Sequence, residues 1–78
     1  MQHELWLEPD GSQTFCLKGV HGNAARSLLA PGAELVWEVE ATSYYEAMTL
    51  YYKYMGWGQY MTSFPDQDCK TYSELGWE

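Results

Sequence analysis

Basic side chains are scarce. The 78 residues carry four Lys and Arg against eleven Asp and Glu, a formal net charge of −7. A phosphate backbone is held by clustered cations that displace its counterions, so direct nucleic-acid binding is not expected. The same deficit disfavours an anionic membrane surface. Cysteine is limited to Cys16 and Cys69, too few for a disulfide framework, although one Cys16–Cys69 bridge is geometrically possible. Histidine is limited to His3 and His21. These four residues have neither C-x-x-C nor H-x(3)-H spacing, so no metal is expected. No apolar run approaches the length of a membrane span. No basic segment followed by an apolar one opens the chain. The expected compartment is the cytoplasm, with both thiols reduced.

Signatures of catalysis are missing too. Gly19, Gly22, Gly56 and Gly58 fit neither a phosphate loop nor a dinucleotide fingerprint, so no cofactor is expected. A nucleophile needs a positioned base. Cys16 and His21 are near in sequence, but one falls on a strand and the other in a loop. Asp66-Gln67-Asp68-Cys69 superficially suggests a cation loop, yet it lacks the glycine and distal glutamate of a calcium site. Glu4, Glu8 and Glu38 lie on an open sheet face without a cleft, as a solvated set that protects the edges. The chain does not read as an enzyme.

What is present is aromatic. Hydrophobic residues make up 46% and aromatic residues 17%, enough for a core even in so short a chain. The central stretch, residues 42–60, reads T-S-Y-Y-E-A-M-T-L-Y-Y-K-Y-M-G-W-G-Q-Y. Ser43 and Glu46 form an S-x-x-E capping box, with the Glu46 side chain expected on the N–H of Ser43. Gly56 suits the left-handed residue after a helix. A helix over 44–55 follows. It places Tyr44, Ala47, Met48, Tyr51 and Met55 on one stripe, Tyr52 and Tyr54 beside it, and Tyr45 at its border.

The remaining elements follow from alternation and turn chemistry. H-E-L-W-L-E and Q-T-F-C-L alternate around Pro9-Asp10-Gly11-Ser12 and make a β-hairpin. Asn23 caps a short helix, residues 24–29. E-L-V-W-E-V-E-A is a third strand. The expected fold class is α+β. It is a small single domain of order β-β-α-β-α, with a three-stranded, mainly antiparallel sheet in the order 2-1-3 and two helices on one face. Leu5, Leu7, Phe15, Leu17, Leu28, Leu29, Leu35, Trp37, Val39, Tyr44, Ala47, Met48 and Tyr51 form the expected core. Trp6 lies on the outer face. Residues 1–60 make the compact domain, and 61–78 an irregular, mobile tail. Leu75-Gly76-Trp77 echoes Met55-Gly56-Trp57, too short to be a repeat.

The run from Trp37 to Tyr60 resembles a pattern in small uncharacterised bacterial proteins, through Glu46, Ala47, Met55, Gly56, Trp57, Gly58 and Tyr60. That resemblance implies no assigned activity. A-T-S-x-x-E-A is also similar to the strand-to-helix step of HicB-like antitoxins. This implies an α/β fold, like that of double-stranded-RNA-binding domains, that neutralises a toxin.

Large rings exceed what so small a core can hide. Trp6, Tyr45, Tyr52, Trp57 and Tyr60 are the candidate interaction surface, since exposed aromatics are enriched at binding hot spots. The expected function is a small acidic, non-catalytic interaction or regulatory module that binds a protein partner or itself. A ligand binder or small enzyme with a tyrosine-lined pocket between the main helix and the turn at 56–60 is the alternative. A nucleic-acid mimic is the third.

Overall fold

The computed structural model describes Met1–Glu78 throughout. The chain is α+β and divides into two compact units. One is Gln2–Val39; the other is Met1 with Glu40–Glu78.

The first unit holds the sheet. Strands β1 (Gln2–Leu7), β2 (Gln13–Leu17) and β3 (Glu34–Glu40) lie in the order β2-β1-β3. Leu5 pairs antiparallel with Phe15 and Glu4 with Cys16, the register set by the turn between them. In that turn the Asp10 carboxylate accepts the N–H of Ser12 at 2.9 Å, and Gly11 takes φ +91°. Those backbone donors hold the Asp10 carboxyl below its ordinary pKa. β3 runs antiparallel to β1. Just beyond their ends, Met1 and Ala41 exchange both backbone bonds, N–H to C=O at 2.7 and 3.1 Å.

One sheet face is apolar. Leu5 is fully buried, and beside it His3, 2% exposed, stacks on Phe15 at 5.5 Å. Phe15 in turn stacks on Trp37 at 6.2 Å. His3 continues the alternation of Leu5 by one step back along β1, which places a polar ring in the core. Leu7 and Leu35, expected inward, are exposed because both stand where the sheet runs out beside the hairpin turn.

The segment between β2 and β3 departs from expectation. A short 3-10 turn (Val20–Gly22) leads into α1, which covers only Asn23–Arg26. The helix ends before Leu28, which is 83% exposed rather than part of the core. Arg26 does the anchoring. Its guanidinium donates to Glu4 Oε1 at 3.2 Å, to the Leu17 carbonyl at 2.7 Å, to the Gly19 carbonyl and to Asn23 Oδ1. Asn23 is therefore an acceptor for Arg26 and not the helix cap. Glu4 is only 7% exposed, so it is not a solvated surface acid. Gly22 is required by this close approach. A Cβ there would sit 1.7 Å from the Leu17 carbonyl oxygen.

The second unit is built on α2 (Tyr44–Met55), the helix the sequence predicts. Ser43 Oγ accepts the N–H of Glu46 at 3.1 Å. Glu46 reaches back to the N–H of Thr42 at 3.0 Å instead of Ser43, one residue further than the expected box. Ser43 instead bridges to Thr71. Ala47 and Tyr51 are the buried residues of α2, whereas Tyr44, expected in the core, is exposed.

Residues 61–78 are not an irregular tail. α3 (Pro65–Asp68) starts on a proline, which is preset for the first helical turn. Beyond it Tyr72 is 2% exposed, among the largest fully buried side chains, and its N–H donates to the Thr42 carbonyl at 2.8 Å. Thr71 and Glu74 form a reciprocal capping box around a single turn. Thr71 Oγ1 accepts the N–H of Glu74 at 3.1 Å, and Glu74 accepts the N–H of Thr71 at 3.2 Å.

Candidate aromatic surface

Backbone chemistry at the end of α2 assembles the rings. Tyr45 and Tyr52 are seven residues apart, two helical turns, and so share a face. Gly56 takes the left-handed conformation, φ 72° and ψ 28°. The chain reverses there, and the Trp57 N–H donates to the Tyr52 carbonyl at 3.0 Å. This is a Schellman ending, which commonly carries an apolar contact between the same two residues. Here the contact is aromatic: Tyr52 and Trp57 meet edge to face, centroids 5.3 Å apart at 89°. Trp57 also meets Tyr51 at 5.2 Å. Tyr60 closes the row, 5.1 Å from Tyr52 and 5.7 Å from Tyr45.

Four of the five candidate residues are thus in one cluster, Tyr45, Tyr60, Tyr52 and Trp57, with buried Tyr51 behind. Edge-to-face pairs of this kind contribute about 0.5–1.5 kcal/mol each beyond area burial. Trp57 remains 53% exposed at the end of the row. The fifth residue, Trp6, belongs to the sheet unit. It is half-buried, as Tyr45, Tyr52 and Tyr60 are, and its indole N–H donates to Glu4 Oε1 at 3.4 Å.

Polar contacts fix the far end. Asp68 Oδ2 accepts the Thr62 hydroxyl at 2.5 Å and the Tyr60 hydroxyl at 3.4 Å. The suggestive D-Q-D-C stretch is therefore helix α3 and its cap, with Asp68 tied to the aromatic row. Burial raises the pKa of the Tyr60 phenol, opposed by Thr62 and reinforced by Tyr44 and Asp68. Burial raises that of Tyr51 as well.

The residues weighed for chemistry fall elsewhere. Cys16 and Cys69 are free thiols, the first buried, the second exposed. Burial raises the Cys16 thiol pKa, and the nearby Arg26 only partly opposes this, the reverse of an activated nucleophile. Glu8 accepts the N–H of Ala30 at 3.0 Å, and Glu38 lies 3.7 Å from Lys18. No group of three or more His, Cys, Asp or Glu stands close enough to hold a metal ion. No helix is long and apolar enough to cross a membrane.

Sequence reasoning missed Phe64 and Met61, both well exposed in the same unit as the row. Their place beside Tyr60 and Pro65 in a stretch without periodicity hid them. No protein-family model, curated protein or solved structure matches this chain.

Proposed function

We propose that the chain is a non-catalytic binding module, and that the row Tyr45–Tyr60–Tyr52–Trp57 receives a Lys- or Arg-bearing segment of a partner protein. The observation that carries this reading is Trp57, half exposed yet held by the turn at Gly56 and by steeply inclined ring contacts with Tyr51 and Tyr52. An indole fixed in this way loses little side-chain entropy on binding. Its face attracts a cation by about 0.5–1 kcal/mol at an exposed site. The net charge of −7 steers basic partners toward the chain and repels acidic ones.

A proline-interrupted peptide such as GRPRPRPG tests the reading, because it cannot add to a sheet. Titration should shift the Trp57 indole N–H resonance, more weakly as salt is added. Trp57→Ala should weaken binding by about two- to fivefold, and Tyr52→Ala by less. Equal shifts with the acidic peptide GEPEPEPG, or none at millimolar peptide, would refute the proposal.

A further inference from the structure

The two edges of the sheet are finished differently. Lys18 donates its N–H to the Gln2 carbonyl at 2.9 Å, and Glu8 donates to Ser12 at 2.8 Å. Even-numbered residues of β1 therefore face β2. Antiparallel pairing alternates sides, so odd-numbered residues of β1 face β3, as the Met1–Ala41 exchange shows. Carried along β3, the same alternation turns the N–H and C=O groups of Glu34, Val36, Glu38 and Glu40 outward, on an edge that no strand covers. On β2 the outward groups are those of Gln13, Phe15 and Leu17, and Arg26 closes the last of them at 2.7 Å.

Open edges are usually blunted by charged side chains, Lys above all, by Pro, by a bulge or by brevity. Carboxylates protect an edge against acidic or like-charged strands while leaving it open to a basic one. β3 is seven residues long, E-L-V-W-E-V-E, with neither Lys nor Pro. Glu34 and Glu38 flank Val36 among its outward-bonding residues, and Glu40 is the fourth, all of them exposed. A second copy of the chain fits poorly. Symmetric pairing about Val36 would set Glu34 opposite Glu38 twice, and like charges directly opposite are unfavourable.

We infer that the β3 edge accepts one extended basic segment of a partner protein as a fourth strand, with the pattern basic-x-apolar-x-basic. The two cations stand opposite Glu34 and Glu38, and the apolar residue opposite Val36. The pattern reads the same in both directions, so it suits either strand orientation. Main-chain bonds supply affinity and the alternating side chains supply selectivity. The site lies in the sheet unit, and the Trp57 row in the other.

Two peptides of one composition test this, TTKTVTRTT and the rearranged TTVKRTTTT, with amide hydrogen exchange read residue by residue. The first should slow exchange at Glu34, Val36 and Glu38 by about tenfold or more, and the second should not. Val36→Pro should abolish the effect. Its N–H points to the open side, so a proline there removes no bond of the sheet, and unchanged hairpin shifts would show the fold intact. Glu34→Lys keeps every backbone group and should weaken binding by about fivefold. Equal protection by both peptides, no protection at saturation, or binding indifferent to Val36→Pro would overturn the inference. So would protection that rises with protein concentration alone, which would make a second copy the occupant. A response confined to the Trp57 indole would overturn it while leaving the aromatic reading in place.

Discussion

Two turns in the second unit share one sequence, Tyr-x-x-x-Gly-Trp, at 52–57 and 72–77. Both close in the same way. The tryptophan N–H donates to the tyrosine carbonyl, at 3.0 Å in the first and 2.8 Å in the second. Both glycines are left-handed, Gly56 at φ 72° and Gly76 at φ 78°. The rings then diverge. Tyr52 and Trp57 meet at 89°, whereas Tyr72 and Trp77 stack at 11°; both indoles are partly exposed, but Tyr52 is half-buried and Tyr72 fully buried. Identical backbone logic thus yields a surface in one place and an anchor in the other. The difference is what lies beneath the tyrosine, not the turn itself.

Substituting the two tyrosines separates the roles most sharply. Tyr72→Ala should cost about 3–5 kcal/mol of unfolding free energy by denaturant titration. Tyr52→Ala should cost less, about 1–3 kcal/mol from its contacts with Trp57 and Tyr60. Equal losses would erase the distinction between anchor and surface. Alkaline pH should address the anchor next. Burial, with Tyr44 and Glu78 adding to it, pushes the Tyr72 phenol up to about 12 from an ordinary 10.0. A raised acid pKa stabilises the fold fully below pH 10 and loses that contribution as pH climbs through about 12, on the order of 2 kcal/mol in all. Tyr72→Phe should flatten that part of the stability profile. The glycines should then behave alike. A Cβ at Gly56 or Gly76 meets nothing within 4 Å, so only the backbone resists. Alanine at either should cost about 1–2 kcal/mol. A much larger loss at one would mean that its surroundings, not φ, demand glycine. Trp57→Ala gives up two ring contacts and should cost about 1–3 kcal/mol, while weakening the binding proposed for the row.

What was legible in the sequence was whatever local chemistry encodes. Ser43, Glu46 and Gly56 marked both ends of α2, and Asp10-Gly11 marked the hairpin. The sheet order followed from three alternating segments. What stayed hidden was bonding between distant residues. Nothing near Arg26 announces that it will meet Glu4 and the Leu17 carbonyl, so the Leu28–Leu29 pair looked like the natural contact. The turn at 71–77 carried its own signals, Thr71, Glu74 and Gly76, but one turn shows no periodicity. Its order depends on Thr42 and Ser43, some thirty residues earlier. For the candidate surface, helical spacing and the glycine gathered Tyr45, Tyr52, Trp57 and Tyr60. Trp6 stands outside that group because it lies on β1, in the sheet unit, where its indole N–H meets Glu4.

The Arg26 network has a consequence for how this chain is digested. Trypsin cuts only after Lys or Arg, and the chain offers Lys18, Arg26, Lys53 and Lys70. To be cleaved, a basic side chain must leave the substrate and enter the protease's specificity pocket. The Arg26 guanidinium is already occupied by the carbonyl of Leu17 at the end of β2, by that of Gly19 in the loop, by Asn23 and by Glu4. The bond after Arg26 is therefore cut only in molecules whose loop has let go of the sheet. The rate of that single scission is a clock for local opening, readable by mass with no label attached.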